Sequence, residues 1–370
     1  MDYKKKAQEI LSLVNIQING KNPWDVQVHN DAVYEKIFAG GSLAIGESYM
    51  AGDWDVQQLD EFFFRLMRAQ VHTRINKIGM LPFVLKATLF NRQSHKRAFE
   101  VGEKHYDLGN DLYHAMLDKQ MIYSCAYWKD AKNLDEAQEN KLDLICRKIG
   151  LKPGDTVLDI GCGWGGFAKF AAERYGARVV GTTISKEQLE LARSYVAGTD
   201  VQIRLQDWRD MKDESFTHIV AIGMVEHVGP KNYWAFMKKV HDLLSDDGLF
   251  LLHTIGSLSA RPYTDPWIDK YIFPNGALPA LHQLEEAAQD LFVTEDVHNF
   301  GAYYDRTLME WWKNFDAAWP QLSQTYDQTF YRMWKYYLHY SAGFFRSRDI
   351  ELWQIVYSKK GVLGGYNSIR

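Results

Sequence analysis

The sequence predicts an α/β protein: a parallel sheet in the larger part of the chain, with a smaller, mostly helical domain ahead of it. Three observations carry this. From about residue 150, short β-branched runs alternate with helical segments at the spacing of βαβ units. Residues 1–100 are patterned mostly as helices. A glycine cluster, Gly161–Gly166 (GCGWGG), falls between the first strand and the helix after it. A chain of 370 residues suits two or three domains, and we place the division at 1–100 and 101–370.

Taken in order, the N-terminus (MDYKKKAQEILSLVNIQING) puts its charges first, but its apolar part is short and broken by Gln8, Glu9, Ser12 and Asn15. It reads as a short amphipathic helix rather than a signal peptide. Leu59–Met67 (LDEFFFRLM) is a strongly apolar helical patch. Residues 65–104 hold nine Lys and Arg against two Glu, in a chain that is acidic overall. Such a stretch is either a solvated helical face or an anchor for anionic lipid head groups. No apolar run approaches the roughly 20 residues that a membrane-spanning helix needs.

In the larger part, Thr156–Ile160 is the first strand and Phe167–Tyr175 the helix after the glycines. A second strand begins at Val179–Val180 and ends in Gly181–Ser185, with Lys186–Val196 helical behind it. Val201–Leu205 and His218–Gly223 are the third and fourth strands. Tyr233–Leu244 is an amphipathic helix stopped by Asp246-Asp247-Gly248, and Leu249–His253 is the fifth strand. A proline-bearing loop, Ser257–Pro279, follows. Nineteen aromatic side chains then lie in 292–357, much of it at helical spacing, as in Trp311, Phe315 and Trp319. This aromatic cover is core, with part of it lining an apolar pocket.

Composition narrows the function. Lys plus Arg is 43 and Asp plus Glu is 47, a formal net charge of −4. That balance excludes a bulk nucleic-acid binder. The three cysteines, Cys125, Cys146 and Cys162, form no disulfide framework and no zinc spacing, so no metal site is expected and a reducing cytoplasm fits best.

The glycine cluster lets backbone N–H groups approach a ligand at a helix N-terminus. Gly161, Gly163 and Gly166 even satisfy GxGxxG, which formally allows a dinucleotide. However, the second strand ends in Gly181-Thr-Thr-Ile-Ser185, with no acid to take a ribose diol. The third ends in Gln206-Asp207-Trp208, where Asp207 can accept from an adenine amino group and Trp208 can stack on its ring. This is the layout of a Rossmann-like S-adenosylmethionine (AdoMet) methyltransferase sheet. Asp159 either orients the glycine loop or caps a nearby backbone N–H.

Several blocks together resemble the cyclopropane-fatty-acyl-phospholipid synthase family: Tyr123–Trp128 (YSCAYW), Val157–Gly166 (VLDIGCGWGG), Gly223–Gly229 (GMVEHVG), Leu251–Gly256 (LLHTIG) and Asn299–Leu308 (NFGAYYDRTL). Gly46-Glu-Ser-Tyr49 and His105-Tyr-Asp-Leu-Gly-Asn110 extend the match into the N-terminal part. The resemblance implies transfer of the AdoMet methyl group to a cis double bond of a phospholipid acyl chain, followed by loss of a proton and ring closure. It implies a bound bicarbonate as base, held by Cys125, Glu226, His253, the backbone of Ile255, and Tyr304. For the cofactor it implies Tyr123 and Ser124 over the methionine end and Gly161 and Gly163 at the amino-carboxylate. Thr183, Ile184 and Gln188 fall near the ribose, and Asp207 and Trp208 around the adenine. It also implies a homodimer. With a bilayer substrate, no spanning run, a basic stretch and few cysteines, we expect it at the cytoplasmic face of the membrane, touching it peripherally. Some members carry a cysteine within Tyr340-Ser-Ala-Gly343; here position 341 is Ser341, and the chemistry needs no thiol there.

Three other readings compete: a lipid methyltransferase that does not close the ring, a lipid-binding protein with a relic cofactor site, and a nicotinamide oxidoreductase. The intact glycine loop opposes the second, and the missing ribose-binding acid opposes the third.

Overall fold

The computed structural model describes residues 2–70, 109–260 and 264–370. The expected domain boundary near residue 100 and most of the basic stretch 65–104 lie outside the described residues. The chain forms two compact units: Met1–Phe90 with Tyr263–Pro274 and Tyr304–Ile350, and Asn91–Pro262 with Asn275–Tyr303 and Glu351–Arg370.

The first unit is mostly helical. Helix Tyr3–Ser12 starts at Asp2, whose side chain accepts from the Lys5 N–H at 2.9 Å. Strands β1 (Gln27–Val28) and β2 (Trp54–Asp55) form a small antiparallel ribbon. Helix Ala32–Met50 is interrupted at Gly41, where φ is +60° and ψ −141°. Helices Leu59–Arg68 and Gln328–Ser347 pack closely, because a Cβ on Gly343 would stand 2.6 Å from Cβ of Phe63.

Phe62 and Phe63 are buried. The Phe63 ring meets Tyr336 and Tyr340 at 5.1 and 5.0 Å, and Phe62 meets Trp54 at 5.5 Å. Their apolar surface is thus used inside this unit and is not available for insertion into a membrane. On the same helix pair, Arg346 binds Asp60 at 2.7 Å, Asp305 at 2.9 Å and Glu61 at 3.4 Å.

The second unit is built on a seven-stranded sheet: β3 (Thr156–Ile160), β4 (Arg178–Thr183), β5 (Val201–Leu205), β6 (Phe216–Ile222), β7 (Leu244–Ser257), β8 (Val293–Asn299) and β9 (Ile350–Ser358). Its order is β5-β4-β3-β6-β7-β9-β8. β3 to β7 are parallel neighbours, and β8 is antiparallel to β9. The α/β class expected from the sequence is the one observed. Chain order reverses between β3 and β6, so the carboxyl ends of these strands flank the crevice where parallel sheets take ligands.

Two features differ from expectation. Asp246-Asp247-Gly248 does not simply stop a helix. Helix Tyr233–Leu243 ends earlier, Leu244 already pairs with Phe216, and the chain bulges before Leu249 pairs with His218. Gly248 is needed in that bulge, since a Cβ there would stand 2.3 Å from the Thr217 carbonyl oxygen. The aromatic tail is not helical throughout either: β8 and β9 complete the sheet. β9 is buried along nearly its whole length, so it reads as a continuous apolar run without the alternation that marks a half-exposed strand.

Candidate active site

The glycine loop follows β3. The Gly161 and Cys162 N–H groups both donate to the Thr182 carbonyl, at 3.0 and 2.9 Å, which ties the loop to β4. Gly163 has φ +55°, and among the described residues no heavy atom lies within 4 Å of where its Cβ would be. This is open space beside a backbone turn that suits glycine. Asp159, one residue from the end of β3, is buried, and neither carboxylate oxygen has a hydrogen-bond partner among the described residues. It therefore caps no backbone N–H. Burial pushes its carboxyl up to about 7, opposed by the charge of Lys141.

Beyond β4, the Thr183 hydroxyl donates to Gln188 Oε1 at 2.8 Å, and Ser185 caps the helix Lys186–Tyr195. Ile184 lies half-buried between them. Past β5, Trp208 is buried against Phe236 at 5.2 Å. The Asp207 carboxylate is held by Arg209, whose Nη1 lies 3.0 and 2.8 Å from its two oxygens. The Arg209 guanidinium also sits 4.5 Å over the Trp208 ring. Arg209 had no place in the sequence reading. Part of the capacity of Asp207 is thus already used, although a carboxylate offers about four acceptor positions.

On the other side of the switch point, Glu226 sits in a single 3-10 turn, Val225–His227, just past β6. Its Oε1 accepts from the Ile255 backbone N–H at 2.8 Å, while Oε2 is buried without a partner among the described residues. Burial pushes this carboxyl up to about 7, against the hydrogen bond from Ile255. His253 lies on β7, where it pairs with Ile222 of β6. The Gln354 amide nitrogen is 3.3 Å from Nδ1. An amide N–H only donates, so Nδ1 accepts and Nε2 carries the ring proton. Nε2 is buried and unpartnered, and burial holds the ring's pKa well below the usual histidine range, so it is neutral.

Tyr123, Ser124 and Cys125 precede helix Leu134–Lys148. Tyr123 meets Tyr113 at 5.3 Å, and Tyr113 meets Trp164 of the glycine loop at 4.8 Å. Cys125 is fully buried, with its thiol 3.4 Å from the Ala126 carbonyl. The structure thus gathers Glu226, Ile255, His253 and the glycine loop at the carboxyl ends of β3, β6 and β7. Tyr304 belongs to the helical unit, where its ring lies 4.4 Å from Phe345. Sequence reasoning missed Gln354 and Lys141. A signal for Lys141 was present: helix Leu134–Lys148 buries the stripe Leu134, Ala137, Gln138, Lys141, Leu142 and Ile145, and a lysine in such a stripe is anomalous.

The fold and the site define an AdoMet-dependent methyltransferase-type enzyme. The sequence model described as "Mycolic acid cyclopropane synthetase" matches residues 93–355, and the chain belongs to that family. It is 51% identical to the cyclopropane-fatty-acyl-phospholipid synthase of Escherichia coli K12, over 100% of this chain and 96% of that one. It is 37% identical to a probable fatty acid methyltransferase of Pseudomonas putida, over 72% of this chain and 71% of the other. Among solved structures it is similar to mycolic acid cyclopropane synthase CmaA1 complexed with SAH and CTAB. That match has 35% identity and a TM-score of 0.66, covering 70% of this chain and 98% of that one.

Proposed function

We propose that the enzyme transfers the methyl group of AdoMet to a cis double bond of a phospholipid acyl chain and closes a cyclopropane ring, with bound bicarbonate as the base. The lipid substrate follows from the full-length likeness to the Escherichia coli synthase. The observation that carries ring closure is the pair of buried, unpartnered polar atoms, Glu226 Oε2 and His253 Nε2. Transfer of a methyl cation to the alkene leaves a carbocation that must lose a proton. Ring closure takes that proton from the added methyl group, so an acceptor held by these two atoms belongs beside that group, whereas loss from the lipid chain would leave an alkene.

The residues present fit both groups. The open space at Gly163 and the unpartnered Asp159 carboxylate suit the amino-carboxylate end of AdoMet, which supplies the electrophilic methyl group when bound. Bicarbonate, when bound, supplies the proton acceptor. Glu226, near half-protonated at neutral pH, can donate from Oε2 to an anion, and His253 can donate from Nε2. Ile255 holds Glu226 in place from the backbone. The reaction requires that water be kept from the site, since it would otherwise trap the cation formed on the lipid as an alcohol.

The membrane side of the reading rests on the basic stretch 65–104, a homodimer on the family resemblance, and the cytoplasmic face on the absence of a disulfide framework. Among the described residues no helix is long and apolar enough to cross a membrane, so the proposal is reversible surface docking. The test is the mass of the lipid extract after incubation of unsaturated phospholipid vesicles with AdoMet. Gain of one CH₂ with loss of the alkene supports ring formation. Gain of CH₂ with the alkene retained replaces this reading with simple methylation.

A further inference from the structure

Helix Leu134–Lys148 presents Gln138 and Lys141 to the segment that carries Tyr123, Ser124 and Cys125. Gln138, fully buried, donates from Nε2 to the carbonyls of Ser124 at 3.0 Å and Ile122 at 3.3 Å. Lys141, one turn on and also fully buried, donates from Nζ to Ser124 Oγ at 2.8 Å. The start of the same segment is fixed by Asp118, whose carboxylate accepts from the Gln120 and Ile122 N–H groups, both at 2.9 Å. It lies directly on the glycine-loop helix: a Cβ on Gly166 would stand 2.3 Å from the Gln120 carbonyl oxygen.

Gln138 already satisfies the Ile122 and Ser124 carbonyls, so these backbone groups do not call for a lysine. A methionine or leucine would fill the space without desolvating a charge, which is costly. The ammonium has three donors, and among the described residues one is used. The ionisable groups that act on it or on which it acts are Asp118, Cys125, Asp159 on β3 and His253 on β7. Asp159 is the unpartnered carboxylate beside the glycine loop, and the Lys141 charge is what favours its ionised form.

We infer that Lys141 is a positioning residue for the cofactor site: it fixes the Ser124 hydroxyl so that it faces the amino-carboxylate end of AdoMet. This rests on the AdoMet reading above. Lys141 touches neither the lipid nor the reacting carbon. Its removal therefore acts on AdoMet and not on the second substrate.

The experiment is titration of the full-length enzyme with AdoMet, for the parent, Lys141→Met and Lys141→Gln. Both variants remove the charge, and Gln keeps a polar end should an apolar one not fold against Ser124. In whichever variant unfolds cooperatively, the AdoMet dissociation constant rises at least about tenfold and KM for the phospholipid stays within about twofold. Equal loss for both substrates, AdoMet affinity within twofold of the parent, or failure of both variants to fold each makes Lys141 a structural residue and overturns the inference. A parent that binds no AdoMet overturns the cofactor reading as well, so the two failures are told apart by the parent alone.

Discussion

The backbone N–H of Ile255 donates to Glu226 Oε1 over 2.8 Å and leaves Oε2 buried without a partner. One hydrogen bond fixes the carboxyl while its other oxygen stays available to a ligand. The 3-10 turn after β6 and the far end of β7 must meet to make this contact, so the orientation of Glu226 is a property of the parallel β6–β7 pair.

Glu226→Gln preserves size and the Ile255 contact but removes the ionisable proton. AdoMet affinity is expected to persist while ring formation falls by about 10²–10⁴-fold, the range typical for loss of positioned proton transfer. Depleting carbon dioxide and bicarbonate from the buffer is expected to slow the parent in the same direction. Turnover of the variant at the parent rate would make Glu226 structural.

The same carboxyl makes stability depend on pH. Its folded value is raised to about 7, above the ordinary 4.5, so the folded state binds more protons than the unfolded chain between these values. Stability is therefore highest below about pH 4.5 as far as this group is concerned, and it falls as pH rises towards 7, by on the order of 3 kcal/mol. Asp159 acts with the same sign. Urea unfolding at pH 5 and pH 8 should show a smaller difference for Glu226→Gln than for the parent. An equal difference in both proteins would remove Glu226 from the account.

Gly163→Val places a branched side chain in the open space beside the glycine loop, at φ +55°. The backbone cost is roughly 1–2 kcal/mol. Gly163→Ala bears a similar backbone cost without the branch. Calorimetric titration should show AdoMet binding lost in the valine variant and retained, though weaker, in the alanine variant, with both unfolding cooperatively. Unchanged affinity in Gly163→Val would move the amino-carboxylate elsewhere.

In the helical unit, Arg346 compensates Asp60, Asp305 and Glu61 together. Burial pushes the Asp60 carboxyl up, but the hydrogen bond and charge of Arg346, with the His339 ring 3.6 Å away, outweigh it and hold the group well below the usual range. The stabilisation is thus present above the ordinary carboxyl pKa and is lost as pH falls through the folded value. Arg346→Met strips the partner from three partly buried carboxylates. We expect a loss of about 1–3 kcal/mol at pH 7, less than for a fully buried pair, shrinking as pH falls. Denaturant midpoints at pH 7 and about pH 2.5, below the ordinary carboxyl value, measure both parts.

Arg92, Lys96 and Arg97 lie outside the described residues, and the prediction for them comes from charge alone. Replacing all three by Gln should weaken co-sedimentation with anionic vesicles and reduce activity on vesicles, with AdoMet affinity unchanged. Parent binding should weaken as salt rises, because exposed charges are screened over about 8 Å at ~0.15 M. Sedimentation of the triple variant equal to the parent at every salt concentration excludes this stretch as the anchor.

The sequence by itself determined the strand–helix alternation from β3 to β7, the glycine loop, and the placing of Glu226 and His253 just past or at the ends of strands. These follow from short-range periodicity and from a rule of position in parallel sheets, so they need no knowledge of distant partners. Only the tertiary structure decided that Ile350–Ser358 is a strand, because its strand character comes from lying between β7 and β8 with both faces covered. Only the fold decided that Phe62 and Phe63 face Trp54, Tyr336 and Tyr340 rather than a bilayer. The state of the site was settled in the same way. Gln354, 101 residues from His253, selects its tautomer, Arg209 engages Asp207, and Lys141 reaches Ser124 from helix Leu134–Lys148. A proton's place and a carboxylate's charge depend on what stands within a few ångströms, and burial decides how strongly each neighbour acts.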